Sequence, residues 1–382
     1  MNEDKSARYH KLGRRAAVVS AAWSAGFLLA FAAPFFSHRL RGLAEAAAGP
    51  TTAWWHPTAA VLVFAALLGA LHEAGELPID FYQSFLLEHR YGLSTERFRH
   101  WAFDRLKAAA LGASLALGAA AFLYLAIGRW PAGWWVVATG AYAVVVVVLT
   151  GLAPVVLLPI FFRFEPLGRP ELRARLLELS RRAGVAVRDA CEWRVSDRTK
   201  KANAALVGLG RTRRIIVSDT LLSRYSDDEI EGILAHELGH LARHDIWRGM
   251  ALHAGITAAG LFAASRALAA LWRPLGWSGV ADVAGLPVLV LAAGAVSLAL
   301  RPLANACSRR MEWRADRFAL ALTGNPEAFA GAIERLGTQN LTEERPSRLA
   351  RWFFYTHPPV AERAAAARAS RRTPAPSAGI VP

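Results

Sequence analysis

The chain has 382 residues and a formal net charge of +15, from 45 Lys and Arg against 30 Asp and Glu. Hydrophobic residues make up 54% and charged residues only 20%, with 13 Trp, which is too apolar for a soluble chain of two or three domains. Two cysteines, Cys191 and Cys307, exclude a disulfide scaffold and stand outside any Cys-x-x-Cys spacing, so they read as small hydrophobes.

In chain order, six stretches are long and apolar enough to cross a hydrocarbon core of about 30 Å. They cover residues 16–36, 53–71, 108–127, 134–162, 246–264 and 283–300. The first follows a basic tail and lacks the small-x-small exit of a cleaved signal, so it reads as an anchor. The fourth contains Pro154 and Pro159, which predict a tilted or kinked helix. Basic residues mark alternate connections. Lys5, Arg8, Lys11, Arg14 and Arg15 precede the first span, and Arg90, Arg97, Arg99, Arg105 and Lys107 follow the second; the intervening loop has only Arg39 and Arg41, and the third and fourth spans are joined by a turn holding only Arg129. The segments 163–245 and 301 onward are densely basic, whereas the loop between the last two spans has Arg266 and Arg273. By the positive-inside tendency, both termini and every long polar segment face the cytoplasm. The charge excess therefore has a membrane explanation, and no compact basic stripe or binding motif asks for a nucleic-acid partner. Trp54, Trp55, Trp130, Trp134 and Trp135 read as an interfacial belt on the opposite side. His72, Glu73, Glu76 and Asp80, at the end of the second span, fit either a functional site at membrane depth or the water interface.

The polar segment after the fourth span predicts an amphipathic helix over 171–183, then strands at Cys191–Val195 and Arg214–Ser218 with the stretch 203–210 between or beside them. Ser226, with Glu229 three residues on, is an N-cap with a capping box. Residues beyond Arg371 are Pro- and Ser-rich and predict a disordered tail. The expected division is a membrane domain at 1–165 with four spans, a catalytic unit at 166–370 holding the other two, and the tail at 371–382.

The helix opened at Ser226 carries His236-Glu237-Leu238-Gly239-His240. Residues four apart sit one turn apart on the same face, so both imidazoles can reach one metal ion while Glu237 projects beside them. Zinc suits neutral imidazole, keeps a position open for water and lowers that water's pKa, and Glu237 would take the proton as the water attacks a carbonyl. Beyond the sixth span, Glu312 and Asp316 stand one helical turn apart and offer a third ligand and a partner for a ligand's free N–H. Read alone, the same residues amid Arg309, Arg310, Arg314 and Arg317 are better explained as a solvated helix face of i,i+4 ion pairs.

The runs Leu77–Gly92 (LPIDFYQSFLLEHRYG) and Leu152–Leu167 (LAPVVLLPIFFRFEPL), His-Glu-Leu-Gly-His, Ser-Arg-x-x-Glu-x-x-Ala-Asp and Thr356-His357-Pro358-Pro359 occur in the order seen in the type I CaaX prenyl proteases. Over about residues 60–368 the chain resembles that family of integral-membrane zinc metalloproteases, and more distantly the bacterial heat-shock membrane proteases. The resemblance implies an all-α dominated polytopic membrane protein, its helices around a chamber, with a cytoplasmic zincin-like α+β domain. It implies one zinc per chain on His236, His240 and Glu312, Glu237 as general base, and Asp316 behind a ligand. Asn203 and Ala204 match the segment that pairs with an extended substrate backbone, a form of β-augmentation. His357 and Arg363 match positions near the metal, where a donor stabilises the oxyanion; in the plainer reading His357 shapes a turn and Arg363 pairs with a carboxylate. The best-known eukaryotic members have seven spans where six are counted here. His244 reads as a surface residue or a support for a ligand. Ala and Arg richness points to a bacterial cytoplasmic membrane.

The expected activity is thus a zinc metalloendopeptidase in the lipid bilayer, acting on a peptide or protein, prenylated as in CaaX processing. A quality-control protease without prenyl recognition is the alternative within the class. A transporter or a non-catalytic scaffold is the alternative outside it, and it must treat two metal-ligand motifs as accidents while lacking paired hydrophobic repeats.

Overall fold

The computed structural model describes residues 2–152, 156, 158–208 and 210–370. The N-terminal half is helical: α1 (Asn2–Ala32), α2 (Pro34–Ala47), α3 (His56–Asp80), α4 (Leu87–Arg90), α5 (Phe98–Arg129), α6 (Trp134–Leu152) and α7 (Leu158–Phe161). A four-stranded sheet comes next, made of β1 (Arg163–Pro166), β2 (Asp189–Arg194), β3 (Ala204–Val207) and β4 (Arg214–Ser218). Helix α8 (Pro170–Arg182) lies between β1 and β2, and α9 (Asp219–Leu222) follows β4. The chain continues as α10 (Asp227–Ala242), α11 (Asp245–Leu271), α12 (Leu286–Thr323), α13 (Pro326–Gln339), α14 (Arg348–Phe354) and α15 (Val360–Ser370).

Among the described residues, 6 helices are long and apolar enough to span a membrane, at the expected places in the chain. Their ends differ from the sequence expectation for identifiable reasons. Pro34 cannot continue α1, because it has no N–H for the carbonyl one turn back, and instead opens α2 at its first turn. The second span runs past Leu71 to Arg90. Pro78 interrupts its hydrogen-bond ladder, and the chain passes through a wider π-helical turn over Phe81–Leu86 before resuming. The fourth span is helical from Trp134 to Leu152, and the chain is helical again over Leu158–Phe161; residues 153–155 and 157, with the kink expected at Pro154, lie outside the described residues, as does the tail 371–382. The largest difference is α12, a 38-residue helix that does not stop near Leu300 but carries straight on to Thr323.

The sheet has strand order β1-β2-β4-β3, with β2 and β4 parallel and the outer pairs antiparallel. Strand β1, which the sequence pattern did not single out, pairs Arg163 to Pro166 with Arg194 to Cys191. One core joins sheet and helices: Leu172 and Leu176 from α8, Ile215 and Val217 from β4, and Ile230, Leu234 and Leu238 at helical spacing on α10. Two further cores lie among the spans, around Trp134, Ile127 and Leu268, and around Phe64, Phe27 and Tyr124.

The capping box at Ser226 forms, with Ser226 Oγ accepting from Glu229 N and Glu229 accepting from Ser226 N. It fixes where α10 starts, and so the rotational phase of everything after it. The His face of α10 is flanked by glycines that admit other helices. A Cβ on Gly239 would stand 3.1 Å from Ala315 Cα and 3.2 Å from Ala315 O on α12. That contact sets how closely α10 and α12, which carry the candidate ligands, approach. Replacing Gly239 by alanine is expected to cost about 1–3 kcal/mol through overpacking and to weaken divalent-metal binding. A lowered apparent Tm in detergent with weaker metal retention checks this; a variant that matches the parent in both excludes the close approach as the constraint.

Candidate active site

Helix α10 presents His236 and His240, and the middle of α12 presents Glu312, so that one ligand atom of each lies within 4.8 Å of the others. Each imidazole is oriented from behind. His236 Nδ1 lies 2.8 Å from Asp316 Oδ1, and His240 Nδ1 lies 3.0 Å from Asp245 Oδ2. With the Nδ1 protons donated to those carboxylates, both Nε2 lone pairs point inward. There they meet each other at 3.2 Å and the Glu312 oxygens at 3.3 and 3.4 Å. Glu312 is 5% exposed, and its Oε2 is buried without a hydrogen-bond partner.

A proton on one imidazole satisfies one of these contacts and leaves the rest acceptor against acceptor. A divalent cation satisfies all three together, so the residues present fit the metal their spacing implies. The charge balance agrees. Glu237, Glu312, Asp316 and Asp245 crowd a site to which Arg363 and, at its margin, Arg248 bring positive charge. Burial pushes the His236 imidazolium down, but Asp316 and Glu312 reverse this and hold its pKa at about 9. Burial lifts the Glu237 carboxyl above the usual range against the opposing pull of His236 and His240. The His236 shift expresses the pull of the surrounding carboxylates on positive charge, and the Glu237 shift its loss of hydration.

The remaining sequence candidates fall into place individually. Glu237 lines a cleft of about 750 Å³ that also includes Tyr9, Arg14, Asn203, Phe329 and His357. The His357 ring is 60% exposed, with Nε2 3.3 Å from Glu312 Oε1 and Nδ1 2.9 Å from Thr356 Oγ1. Arg363 is committed to Asp316 through Nε at 2.8 Å and Nη2 at 2.6 Å, the second lying 3.3 Å from His236 Nδ1. Its guanidinium therefore braces the carboxylate that orients His236. Asn203 uses its backbone inward, its O accepting from Ser218 N and its N donating to Ser218 Oγ. By antiparallel alternation the N–H and C=O of Ala204 then face away from β4, on the outer side of an edge strand. His244 is exposed and holds the left-handed turn between α10 and α11 at φ 56°.

Asp245 is the member that sequence spacing did not single out. Its signal is faint: an acidic residue opening a new helix directly after a turn, five positions past His240.

A family model described as peptidase family M48 matches residues 166–371, and one described as the CAAX prenyl protease N-terminal region with five membrane helices matches residues 2–163. The metalloprotease YhfN of Bacillus subtilis is 29% identical, covering 75% of this chain and 68% of its own. A CAAX prenyl protease 1 homolog of Caenorhabditis elegans is 26% identical, covering 82% and 79%. Protease HtpX of Xylella fastidiosa is 32% identical over a shorter stretch, 44% of this chain and 64% of its own. The crystal structure of S. mikatae Ste24p shares the fold, with a TM-score of 0.83 at 23% identity over 96% of this chain and 89% of that one.

Removing the carboxylate behind a metal-binding imidazole typically lowers metal affinity about 10- to 100-fold. Asp245→Ala is expected to show a loss of that size in competition against a chelator, with the helical content retained. Parent-like affinity would mean that Asp245 does not orient His240.

Proposed function

This chain belongs to peptidase family M48 and is an integral-membrane metalloendopeptidase, and from that premise we propose that it hydrolyses peptide bonds with zinc held by His236, His240 and Glu312 and with Glu237 as general base. The observation that carries the proposal is the convergence of three ligand atoms beside a carboxyl group that opens onto a cleft. A zinc ion in that set supplies Lewis-acid chemistry, acidifying water and polarising a carbonyl.

The chain's own residues do the rest. Glu237 accepts the proton of the attacking water and returns it to the leaving amine, a task suited to a carboxyl whose burial has raised its proton affinity. His357, a donor on the cleft wall with its Nε2 3.3 Å from Glu312, steadies the oxyanion of the tetrahedral intermediate. Arg363 works through Asp316, which holds the His236 proton in place. The substrate lies extended along the outer edge of β3, hydrogen-bonded to the backbone of Ala204. The alternation of basic loops supports a cytoplasmic site in a bacterial inner membrane, with the spans in the lipid bilayer. Similarity to CAAX prenyl protease 1 homologs supports a prenylated C-terminal segment as substrate.

Glu237→Gln is expected to keep zinc and fold while losing about 10²- to 10⁴-fold in kcat; undiminished cleavage contradicts the role of Glu237. Offered one C-terminal peptide with and without a farnesyl group, the enzyme is expected to prefer the farnesylated form in kcat/KM. Equal cleavage of both removes prenyl recognition and leaves general membrane proteolysis.

A further inference from the structure

The wall of the cleft formed by the N-terminal helix carries an interaction that neither metal binding nor proton transfer uses. Arg14, on α1, reaches across to the C-terminal segment of the chain. Its Nη1 donates to Glu343 Oε2 and, at 2.8 Å, to Tyr355 Oη, while Nη2 lies 3.3 Å from Glu343 Oε1. Tyr355 Oη donates to the same Glu343 carboxylate, closing a three-membered cluster. Glu343 is 8% exposed, so this is a largely desolvated pair rather than a surface ion pair.

The helix holds the same region at a second point. Ser6 Oγ and His10 Nε2 each lie 2.8 Å from the carbonyl of Leu341, a residue at φ 51°. A branched side chain in the left-handed region persists only where its surroundings fix it. The backbone of Tyr355 is pinned as well, its carbonyl accepting from Arg309 of α12 at 2.8 Å.

Immediately beyond Tyr355 the chain leaves regular structure, with Thr356 and His357 exposed and Pro358 buried. Thr356, His357 and Pro358 form an irregular connection to α15, and among the described residues no backbone hydrogen bond holds any of the three. His357 nonetheless has its Nε2 3.3 Å from Glu312. The fixed point nearest to it on the N-terminal side is Tyr355, two residues away, anchored at its hydroxyl by Arg14 and Glu343.

We propose that Arg14 is a positioning residue: through Glu343 and Tyr355 it fixes the Thr356–His357 connection, and so the placement of the His357 imidazole over the catalytic cleft. The proposal rests on the reading of His357 as oxyanion donor. It gives the first membrane helix a part in the chemistry beyond its charge-directed orientation. An oxyanion donor acts on charge that develops in the transition state, so misplacing it lowers kcat and leaves ground-state binding alone.

The test uses the full-length chain in detergent with a C-terminal peptide substrate. Arg14→Met and Tyr355→Phe are expected to lower kcat roughly 10- to 100-fold, as for a misplaced catalytic group, with KM within about two-fold and metal content unchanged. Tyr355→Phe leaves no charge unpaired and therefore covers the case in which Arg14→Met does not fold. Arg14→Lys, which keeps the ion pair with Glu343, is expected to recover much of the loss. Arg15→Gln removes the same charge from the tail without touching the cleft and is expected to behave as the parent. In a His357→Ala background, Arg14→Met and Tyr355→Phe should add nothing. Parent-like kcat in both variants, or a full additional loss in that background, overturns the positioning role. A His357→Ala enzyme with parent-like kcat overturns instead the oxyanion role on which the proposal stands, and the two failures are thereby told apart.

Discussion

Three acceptor atoms from His236, His240 and Glu312 meet in a buried space with no set of protons that satisfies them together, and much of the chain serves to hold them there. Such a cluster costs free energy on its own, since a buried carboxylate oxygen without a partner loses its hydration and gains nothing in return. A divalent cation turns that cost into binding energy, which ties metal affinity to the folding of the site. The carboxylates of Asp316 and Asp245 make the arrangement specific, because each commits one ring nitrogen and so aims the other.

Helix α12 is the element that joins this site to the membrane. Its N-terminal half packs among the spans through Leu286, Val288 and Leu289, and its C-terminal half delivers Glu312 and Asp316 to the face of α10. The helix continues through Pro302 between these halves, so the candidate metal site and the sixth span share one element. Gly239 lets α10 and α12 approach to backbone contact, and Arg363 from α15 locks Asp316 from the far side. The N-terminal helix closes the cleft through Arg14, Tyr9 and His10. Residues more than three hundred positions apart in sequence therefore share one wall of one cleft.

How much of this was legible in the sequence depended on how local its signal was. Length and hydropathy are properties of a window, and the six spans were placed from them; the helix-forming spacing of His236 and His240 and the capping box at Ser226 are equally local. The strands at Cys191 and Arg214 were visible through β-branched and aromatic residues bounded by polar ones, whereas β1 (RFEP) has no alternation and forms because β2 offers it an edge. The continuation of α12 past Leu300 was hidden because hydropathy falls there while helicity does not. Glu312 and Asp316 read better, on their own, as a solvated face, which only resemblance to the CaaX proteases displaced. Asp245, Glu343 and Tyr355 were invisible because their partners lie across the fold, and Arg14 was hidden by a sufficient explanation as a topology charge.

The most direct measurement is X-ray absorption at the zinc edge on the purified, metal-replete full-length chain, together with its metal content. The expected result is one zinc per chain with a first shell of nitrogen and oxygen at about 2.0–2.2 Å, two imidazoles included, lost when Glu312 is replaced by alanine. A chain that retains no zinc, a shell containing sulfur from Cys191 or Cys307, or an unchanged shell in Glu312→Ala contradicts the ligand set on which the catalytic reading stands.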